Sequence, residues 1–496
     1  MANNSLKRLL SDSVIYGLSS IVGRFLNYLL VPLYTYKIAA ASGGYGVVTN
    51  MYAYTALLLV LLTFGMETTF FYFANKKEND ARRVFSTALS AVSIVAALFV
   101  ALVFIFIGPL AATLDYAGHP EYIKIMACVV AIDAFQAILF AQLRFAGRAW
   151  KFAFLKLAFI FLNIGMNLFI FLAAPALAAS HPEMMGWYRP DYQVGYVFVI
   201  NLICTASITL GFIPELRNLR FGVDFKLLKA MLKYTWPLLL LGLMGILNQV
   251  ADKICFRFLV PGQEGDEQLG IYGACVKIAM IMAMITQAFR YAYEPFVFAE
   301  GSGKESKESQ ALVMKYFVMF TLFAFLAVVA FMDILRYIIN SDYWDGLQAV
   351  PIVMMAEIFM GIYFNLSFWY KLIGKTWWGA VMSAIGCVAL LAVNIVFVPK
   401  YGYMACAWGG FVGYGICMVL SYFIGQHHNP VPYSLKAIGG YFAVAMVLFA
   451  AMQLLPIEST VWRLVVNSIL LLAYAAIVAY NERRLVGKVV RKILRK

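Results

Sequence analysis

The chain repeats its least ordinary positions at a constant spacing of 227 residues. The paired positions are Tyr45-Gly46 and Tyr272-Gly273, Glu67 and Glu294, Gly147-Arg148 with Trp150 and Gly374-Lys375 with Trp377, and Asn167 and Asn394. They include a carboxylate inside an apolar run and a loop of the form Gly-basic-x-Trp. Several hydrophobic segments and their loops therefore recur without a net insertion, which predicts two similar multi-helix halves.

The composition is that of a polytopic membrane protein. Of the 496 residues, 63% are hydrophobic and 13% are charged, whereas a soluble domain is about 45–50% apolar and roughly 25% charged. Fourteen apolar runs are each long enough to cross a hydrocarbon core of about 30 Å. Their approximate limits are 11–38, 44–74, 83–108, 121–146, 151–176, 193–214, 233–260, 268–299, 310–332, 346–372, 376–398, 403–425, 435–455 and 460–481. An all-α integral membrane fold with fourteen transmembrane helices is therefore predicted.

The basic residues orient these helices. If the N-terminus is cytoplasmic, the inside loops and tails hold most of the 39 Lys and Arg, and the outside loops hold few. This asymmetry follows the positive-inside rule and places both termini in the cytoplasm. The net charge of +14 therefore favours contact with anionic lipid headgroups over nucleic acid.

Each half has an even number of spans, so the two repeats are predicted to share one orientation. We divide the chain into an N-terminal six-helix lobe (1–214), a cytoplasmic linker (215–232), a C-terminal six-helix lobe (233–425) and two additional helices with a basic tail (426–496). Two parallel six-helix repeats are the architecture of a transporter, whose substrate site lies where the repeats meet.

Basic residues within the spans are the first candidates for binding a substrate, because each costs about 2.5–3.5 kcal/mol to insert. Arg24 lies near the middle of the first run and shares a polar helix face with Asn27 and Tyr28. Such a face predicts a wet cavity. The alternative is that Arg24 hydrogen-bonds to backbone carbonyls and holds helices together.

Three further cations, Lys253, Lys277 and Arg290, are weaker substrate-binding candidates. Lys277 and Arg290 lie about 140° apart around one helix, since each residue turns it by about 100°. Arg290 precedes Glu294 by four residues, so these two side chains could instead neutralise one another.

Carboxylates within the spans are candidates for coupling transport to protons or sodium ions. They are Glu67, Asp133, Asp252, Glu294 and Glu357. The alternative for each is an ion pair with a nearby Arg or Lys, and Asp252 is the one best placed to pair with its basic neighbours.

Signals for an enzyme are weak. The sequence shows no Ser-His-Asp set, no metal-ligand cluster and no glycine loop that would cradle a phosphate. The seven cysteines lie in apolar runs without metal-binding or redox spacing. We therefore predict a protein that is not an enzyme and that needs no cofactor or metal.

The chain resembles the multidrug/oligosaccharidyl-lipid/polysaccharide (MOP) exporter superfamily, and within it the Wzx-type polysaccharide flippases. The resemblance rests on the opening LLSDSVIYGLSSIVGRFLNYLLVPLYT, the following GGYGVVTNMYAYTALLLVLLTFGMETTFFYFA, and the loop LRFAGRAW. It extends over essentially the whole chain, but its motifs are diffuse and indicate a branch of the superfamily rather than a substrate.

The resemblance implies a flippase in the bacterial cytoplasmic membrane that moves an oligosaccharide on a polyprenyl pyrophosphate. The cationic cavity of the family would map onto Arg24, with Lys253, Lys277 and Arg290 as further candidates. Coupling to protons or sodium and contacts with other polysaccharide-assembly proteins are also implied. Three alternatives stay open: a drug/cation antiporter, a lipid II flippase of the MurJ type, and a membrane enzyme of glycan assembly.

Overall fold

A computed structural model describes Val22, Leu26 and residues 28–217, 219, 221–300 and 303–483. Within these ranges every regular element is a helix. The helices from the first half of the chain are α1 (Leu30–Lys37), α2 (Gly44–Thr63), α3 (Met66–Ala74), α4 (Ala81–Ile105), α5 (Ile107–Thr113), α6 (Pro120–Phe145), α7 (Ala149–Leu168), α8 (Ala174–Ser180), α9 (Gln193–Thr209) and α10 (Ile213–Arg217).

The second half of the chain contains ten further helices. They are α11 (Phe225–Leu259), α12 (Gln263–Glu300), α13 (Lys304–Ala330), α14 (Met332–Leu335), α15 (Val350–Leu366), α16 (Phe368–Leu372), α17 (Trp377–Tyr401), α18 (Tyr403–His428), α19 (Leu435–Leu454) and α20 (Thr460–Asn481). Short 3₁₀ segments precede α2 and α15.

The described residues contain 13 helical segments that are long and apolar enough to cross a membrane. These segments coincide with the second to fourteenth apolar runs, which confirms a multi-pass, all-helical membrane protein. Most of the first run lies outside the described residues, and α1 covers only its end. The fourteenth span and the orientation of the termini stay predictions.

The second span, Gly44–Ala74, is broken about two-thirds of the way along its length. Phe64 and Gly65, between α2 and α3, both have left-handed backbone conformations, with φ of 51° and 66°. Glycine adopts this conformation without a steric cost, whereas phenylalanine does not. The hydroxyl of Thr235 donates a hydrogen bond to the Phe64 carbonyl oxygen at 2.6 Å and so satisfies one group that the break exposes. The break places Glu67 in the first turn of α3.

The chain divides into two compact units. The first contains residues 1–274 and 387–409, and the second contains residues 275–386 and 410–496. The core of the first unit includes the fully buried Phe70, Leu89 and Ile138, and a cluster in the second unit surrounds Trp369 and Met382. The division into six-helix lobes at 1–214 and 233–425 stays a prediction.

The last two helices, α19 and α20, pack against α13 in the second unit. Beyond the end of α20, the Glu482 carboxylate accepts a hydrogen bond from Lys315 at 2.6 Å. Burial raises the pKa of Glu482, but the bond to Lys315 and its charge outweigh burial, so that the pKa lies below its ordinary value. Within the span, Tyr474 donates to the Met319 carbonyl oxygen at 3.3 Å. These contacts join the two additional helices to the repeat.

Candidate functional site

Glu67 forms an ion pair with Arg144 in the first unit. Arg144 Nη2 lies 2.8 Å from Glu67 Oε2, and the guanidinium also lies 5.2 Å from the centre of the Phe71 ring. Arg144 occupies the last turn of α6, where the partial negative charge of the helix end favours a cation. Gly147 follows with φ of 65° and turns the chain towards α7, as the Gly-basic-x-Trp pattern predicts.

Glu294 forms two ion pairs in the second unit. Its carboxylate lies 3.3 Å from Lys371 Nζ and 3.3 Å from Arg290 Nε. The Arg290 guanidinium also stacks 3.9 Å from the centre of the Phe364 ring. Together, the carboxylate and its two cations carry one net positive charge. That charge suits an anion such as phosphate, which Arg binds with its planar fork of donors.

The two carboxylate groups follow the sequence repeat. Glu67 and Glu294 are 227 residues apart, and so are their partners Arg144 and Lys371. Lys371 also lies in the last turn of a helix, and Gly374 follows it with φ of 73°. The ion pair is therefore a property of the repeated unit. The sequence interpretation missed both partners, although the 227-residue spacing could have found them.

Asp133 is a half-buried carboxylate on α6. No ion pair within 4.0 Å involves it in the part of the chain that the structure describes. Its charged neighbour is Lys156, which interacts electrostatically with both Asp133 and Glu67. The Lys156 ammonium lies 4.0 Å from the centre of the Phe140 ring, a distance at which a cation is attracted by an aromatic face. The sequence interpretation missed Lys156, which has no distinctive motif around it.

Lys253 forms an ion pair with Asp252 in the first unit. Its Nζ lies 3.0 Å from both carboxylate oxygens of Asp252, and Tyr272 donates to the same carboxylate at 3.0 Å. The Lys253 carbonyl oxygen accepts a hydrogen bond from Asn50 at 2.8 Å. Asp252 and Lys253 thus neutralise one another, which is the role that the sequence favoured for Asp252.

Arg257, near the end of α11, is buried among polar groups of the first unit. Its side chain is only 6% exposed and its Nε lies 2.8 Å from Asp266 Oδ1. It also donates to the carbonyl oxygens of Leu114 and Asp115 and lies 3.9 Å from the centre of the Tyr116 ring. The reason is that α11 and the loop before α6 bring counter-charges and carbonyls to one place, which a helical count cannot show.

The remaining five candidate residues keep their roles as predictions. Arg24 and Asn27 lie outside the described residues. Tyr28 is described, and its hydroxyl oxygen is buried without a hydrogen-bond partner among the described residues. Lys277 and Glu357 are half-buried on α12 and α15. Their assignments to substrate binding and coupling stay predictions.

One buried amide differs between the repeats. Asn167 accepts a hydrogen bond from Tyr34 at 2.9 Å and donates to the Asn163 carbonyl oxygen at 2.8 Å. Asn394, its counterpart, is fully buried, and neither its oxygen nor its nitrogen has a partner in the described part of the chain. Leu390 replaces Asn163 in the second repeat, which removes the side-chain oxygen that accepts a hydrogen bond from Asn167 at 3.0 Å.

The described residues contain no group of three or more His, Cys, Asp or Glu side chains that could hold a metal ion. Of the candidate carboxylates, Glu67, Asp252 and Glu294 form ion pairs with basic side chains of their own unit. An arrangement of this kind can bind an anion at a surplus cation, or exchange a proton at a carboxylate that is not committed to an ion pair.

Comparison with solved structures identifies the class of fold: it is the fold of membrane transporters of the MOP superfamily. A lipid II flippase, MurJ, in an inward closed conformation superposes with a TM-score of 0.71 at 13% identity, over 94% of this chain and 99% of that chain. No protein-family model and no curated protein sequence matches this chain.

Multidrug transporters share the fold over less of the chain. An inward-facing MATE family transporter of the MOP superfamily has a TM-score of 0.62 at 15% identity, over 81% of this chain and 93% of that chain. The MATE multidrug transporter DinF-BH has a TM-score of 0.59 at 16% identity, over 85% of this chain and 95% of that chain. At these identities the likeness shows the fold alone.

Proposed function

We propose that this chain is a flippase that moves a polyprenyl-pyrophosphate-linked oligosaccharide across the cytoplasmic membrane by alternating access, coupled to a cation gradient. One observation carries the proposal: Glu294 is shared between Arg290 and Lys371, so that a membrane-spanning segment holds a surplus cation. Such a charge is costly in a bilayer unless an anion compensates it. A pyrophosphate supplies that anion.

The extent of the fold likeness supports a flippase over a drug/cation antiporter. The match to MurJ covers 94% of the chain. The uncovered residues are fewer than those of α19 and α20 together, so the match includes at least part of these two helices. The MATE matches cover 81% and 85%. MurJ is described as a flippase of lipid II. A lipid II flippase remains the alternative within the proposal that this chain is a flippase.

We propose Arg290 as a pyrophosphate-binding residue because of its contacts with Glu294 and Phe364. Arg24 stays a second candidate because it lies near the middle of the first apolar run. Lys253 is a weaker candidate because Asp252 neutralises it. Lys277 keeps its place as a candidate on the same helix as Arg290. For the sugar we retain Asn27 and Tyr28, whose amide and hydroxyl groups suit a polar route.

Transport by reconstituted protein tests the proposal directly. Proteoliposomes would contain a labelled polyprenyl pyrophosphate that carries an oligosaccharide, and a glycosidase added outside would digest only the sugar exposed on the outer leaflet. We expect the digested fraction to rise beyond the initial outer-leaflet share when an ion gradient is imposed. Arg290→Gln should slow this about tenfold or more, since a hydrogen bond to a charged group contributes roughly 1.5–3 kcal/mol.

Arg336→Gln is the matched control, because Arg336 lies in the same unit and pairs with Asp333 at 3.7 Å, away from the candidate residues. It should leave the rate of export unchanged. A wild-type protein that exchanges a cationic dye for protons and leaves the glycolipid in place would contradict the proposal and favour the drug antiporter.

A further inference from the structure

A small cavity lies beside Arg290 in the second unit. Four aromatic rings, Gly361 and the polar side chains of Thr286, Arg290 and Asn365 line it. Its volume is about 10 Å³, which is room for one water-sized group. Gly361 allows the close packing of its wall, because a Cβ atom there would come within 2.4 Å of Phe317 Cζ.

Two oxygen atoms in the cavity wall have no hydrogen-bond partner among the described residues. They are Oγ1 of Thr286 and Oδ1 of Asn365, and the two residues are only 7% and 6% exposed. The Asn365 amide nitrogen donates to the Gly361 carbonyl oxygen at 3.1 Å. This bond fixes the side chain, while its oxygen has no hydrogen-bond donor among the described residues. Leaving a buried polar atom without a hydrogen-bond partner destabilises the folded protein. The Asn365 oxygen therefore calls for a ligand that donates a hydrogen bond, whereas the Thr286 hydroxyl can donate or accept one.

The surroundings select the chemical class of that ligand. A metal or ammonium cation would be repelled by the Arg290 guanidinium, which lines the same cavity. A carboxylate or phosphate oxygen cannot donate to the Asn365 oxygen. A hydroxyl group meets both requirements, because it donates one hydrogen bond and accepts another. The aromatic rings around it suit the apolar face of a sugar ring.

We infer that this cavity binds one hydroxyl group of a sugar residue that lies next to the anionic group held by Arg290. This inference rests on the proposed function, and it adds a sugar-reading site that involves Thr286 and Asn365. The cavity would make the protein distinguish a glycosylated carrier from the bare one.

Binding to the purified full chain in lipid nanodiscs tests the inference with two probes, bare polyprenyl pyrophosphate and the same carrier with a disaccharide. We expect wild type to bind the glycosylated carrier more tightly. Asn365→Leu and Thr286→Val should each weaken that binding about tenfold, the size of one lost hydrogen bond. Both should change binding of the bare carrier less than twofold. Thr286→Val preserves the shape of its side chain, so it tests the cavity even if Asn365→Leu fails to fold.

Thr321→Val is the matched control, since Thr321 is fully buried in the same unit and its hydroxyl donates only to carbonyls of its own helix. It should bind both probes as wild type does. If Thr286→Val and Asn365→Leu also bind both probes as wild type does, or weaken both equally, the inference is wrong. If wild type binds neither probe, the proposed function itself fails.

Discussion

Arg144 and Lys371 occupy the same position of the 227-residue repeat, and each binds the repeated carboxylate. Arg144 lies 2.8 Å from Glu67, and Lys371 lies 3.3 Å from Glu294. In the second unit, Arg290 also binds Glu294. In the first unit, Lys156 interacts with both Glu67 and Asp133. The repeated pair thus joins two helices in each half, and the added charges give the halves different chemistry.

Breaking the repeated pair should destabilise each half. Arg144→Gln leaves Glu67 without its bound cation, and the loss would be about 3–5 kcal/mol for a fully buried pair. Because the two side chains are 36% and 40% exposed, screening reduces the expected loss to about 1 kcal/mol. The double variant Glu67→Gln with Arg144→Gln should regain part of the stability. Thermal unfolding in detergent would measure the four proteins of this cycle.

Arg148→Gln offers a comparison, because Lys151 also binds Glu215, the partner of Arg148, at 2.6 Å. Its loss should therefore change thermal stability less than the loss of Arg144. Equal thermal shifts for Arg144→Gln and Arg148→Gln, with no recovery in the double variant, would show that the Glu67 pair does not stabilise the fold.

Removing the shared carboxylate should strengthen anion binding. Glu294→Gln raises the charge on its group with Arg290 and Lys371 from +1 to +2. We expect roughly tenfold tighter binding of polyprenyl pyrophosphate at low salt, a steeper loss of affinity with added salt, and slower export because release is slower. Glu308→Gln, an exposed acid in the same unit, is the control. Unchanged affinity in Glu294→Gln would place the anion elsewhere.

The apolar runs predicted the helices well because each must satisfy its backbone within the bilayer. The break at Phe64 could not be predicted in the same way. Gly65 is compatible with continued helix, and the hydrogen bond to the carbonyl oxygen of the left-handed Phe64 comes from Thr235, which lies far along the chain. In α12 the counterpart of Gly65 is Ala292, and that helix continues without a break.

The sequence predicted the candidate residues one by one, with an ion pair as the alternative for each carboxylate, and the structure places three of these carboxylates in ion pairs. Neighbours in sequence were within reach: Arg290 with Glu294 and Asp252 with Lys253 are pairs that spacing alone suggests. Ion-pair partners on other helices could not be predicted from hydropathy. Hydropathy gives the length of a span but not the angle at which a neighbouring helix packs against it. Lys156, which interacts with Asp133 and Glu67 and was not predicted, is an example.

Arg257 should be among the most sensitive residues to substitution. Its side chain and that of Asp266 are 6% and 13% exposed, so Arg257→Ala leaves a buried carboxylate without its main counter-charge. The expected loss of stability is about 3–5 kcal/mol, and Arg257→Lys should recover only part because it lacks the planar fork. Arg189→Ala, whose side chain is 68% exposed in its pair with Asp191, is the control. Thermal unfolding that ranks the two alanine variants equally would contradict this role.

Asp133 is the carboxylate that we expect to couple transport to an ion gradient. Glu67, Asp252 and Glu294 are held in ion pairs, whereas Asp133 makes none within 4.0 Å among the described residues. Its charge can therefore change with the least loss of structure. In proteoliposomes, Asp133→Asn should make the rate of glycolipid export the same with and without a proton or sodium gradient. Glu67→Gln and Asp252→Asn should keep the wild-type ratio of those two rates. Glu294→Gln and Glu357→Gln complete the series. If all five amide variants retain the gradient dependence of wild type, coupling does not involve these carboxylates.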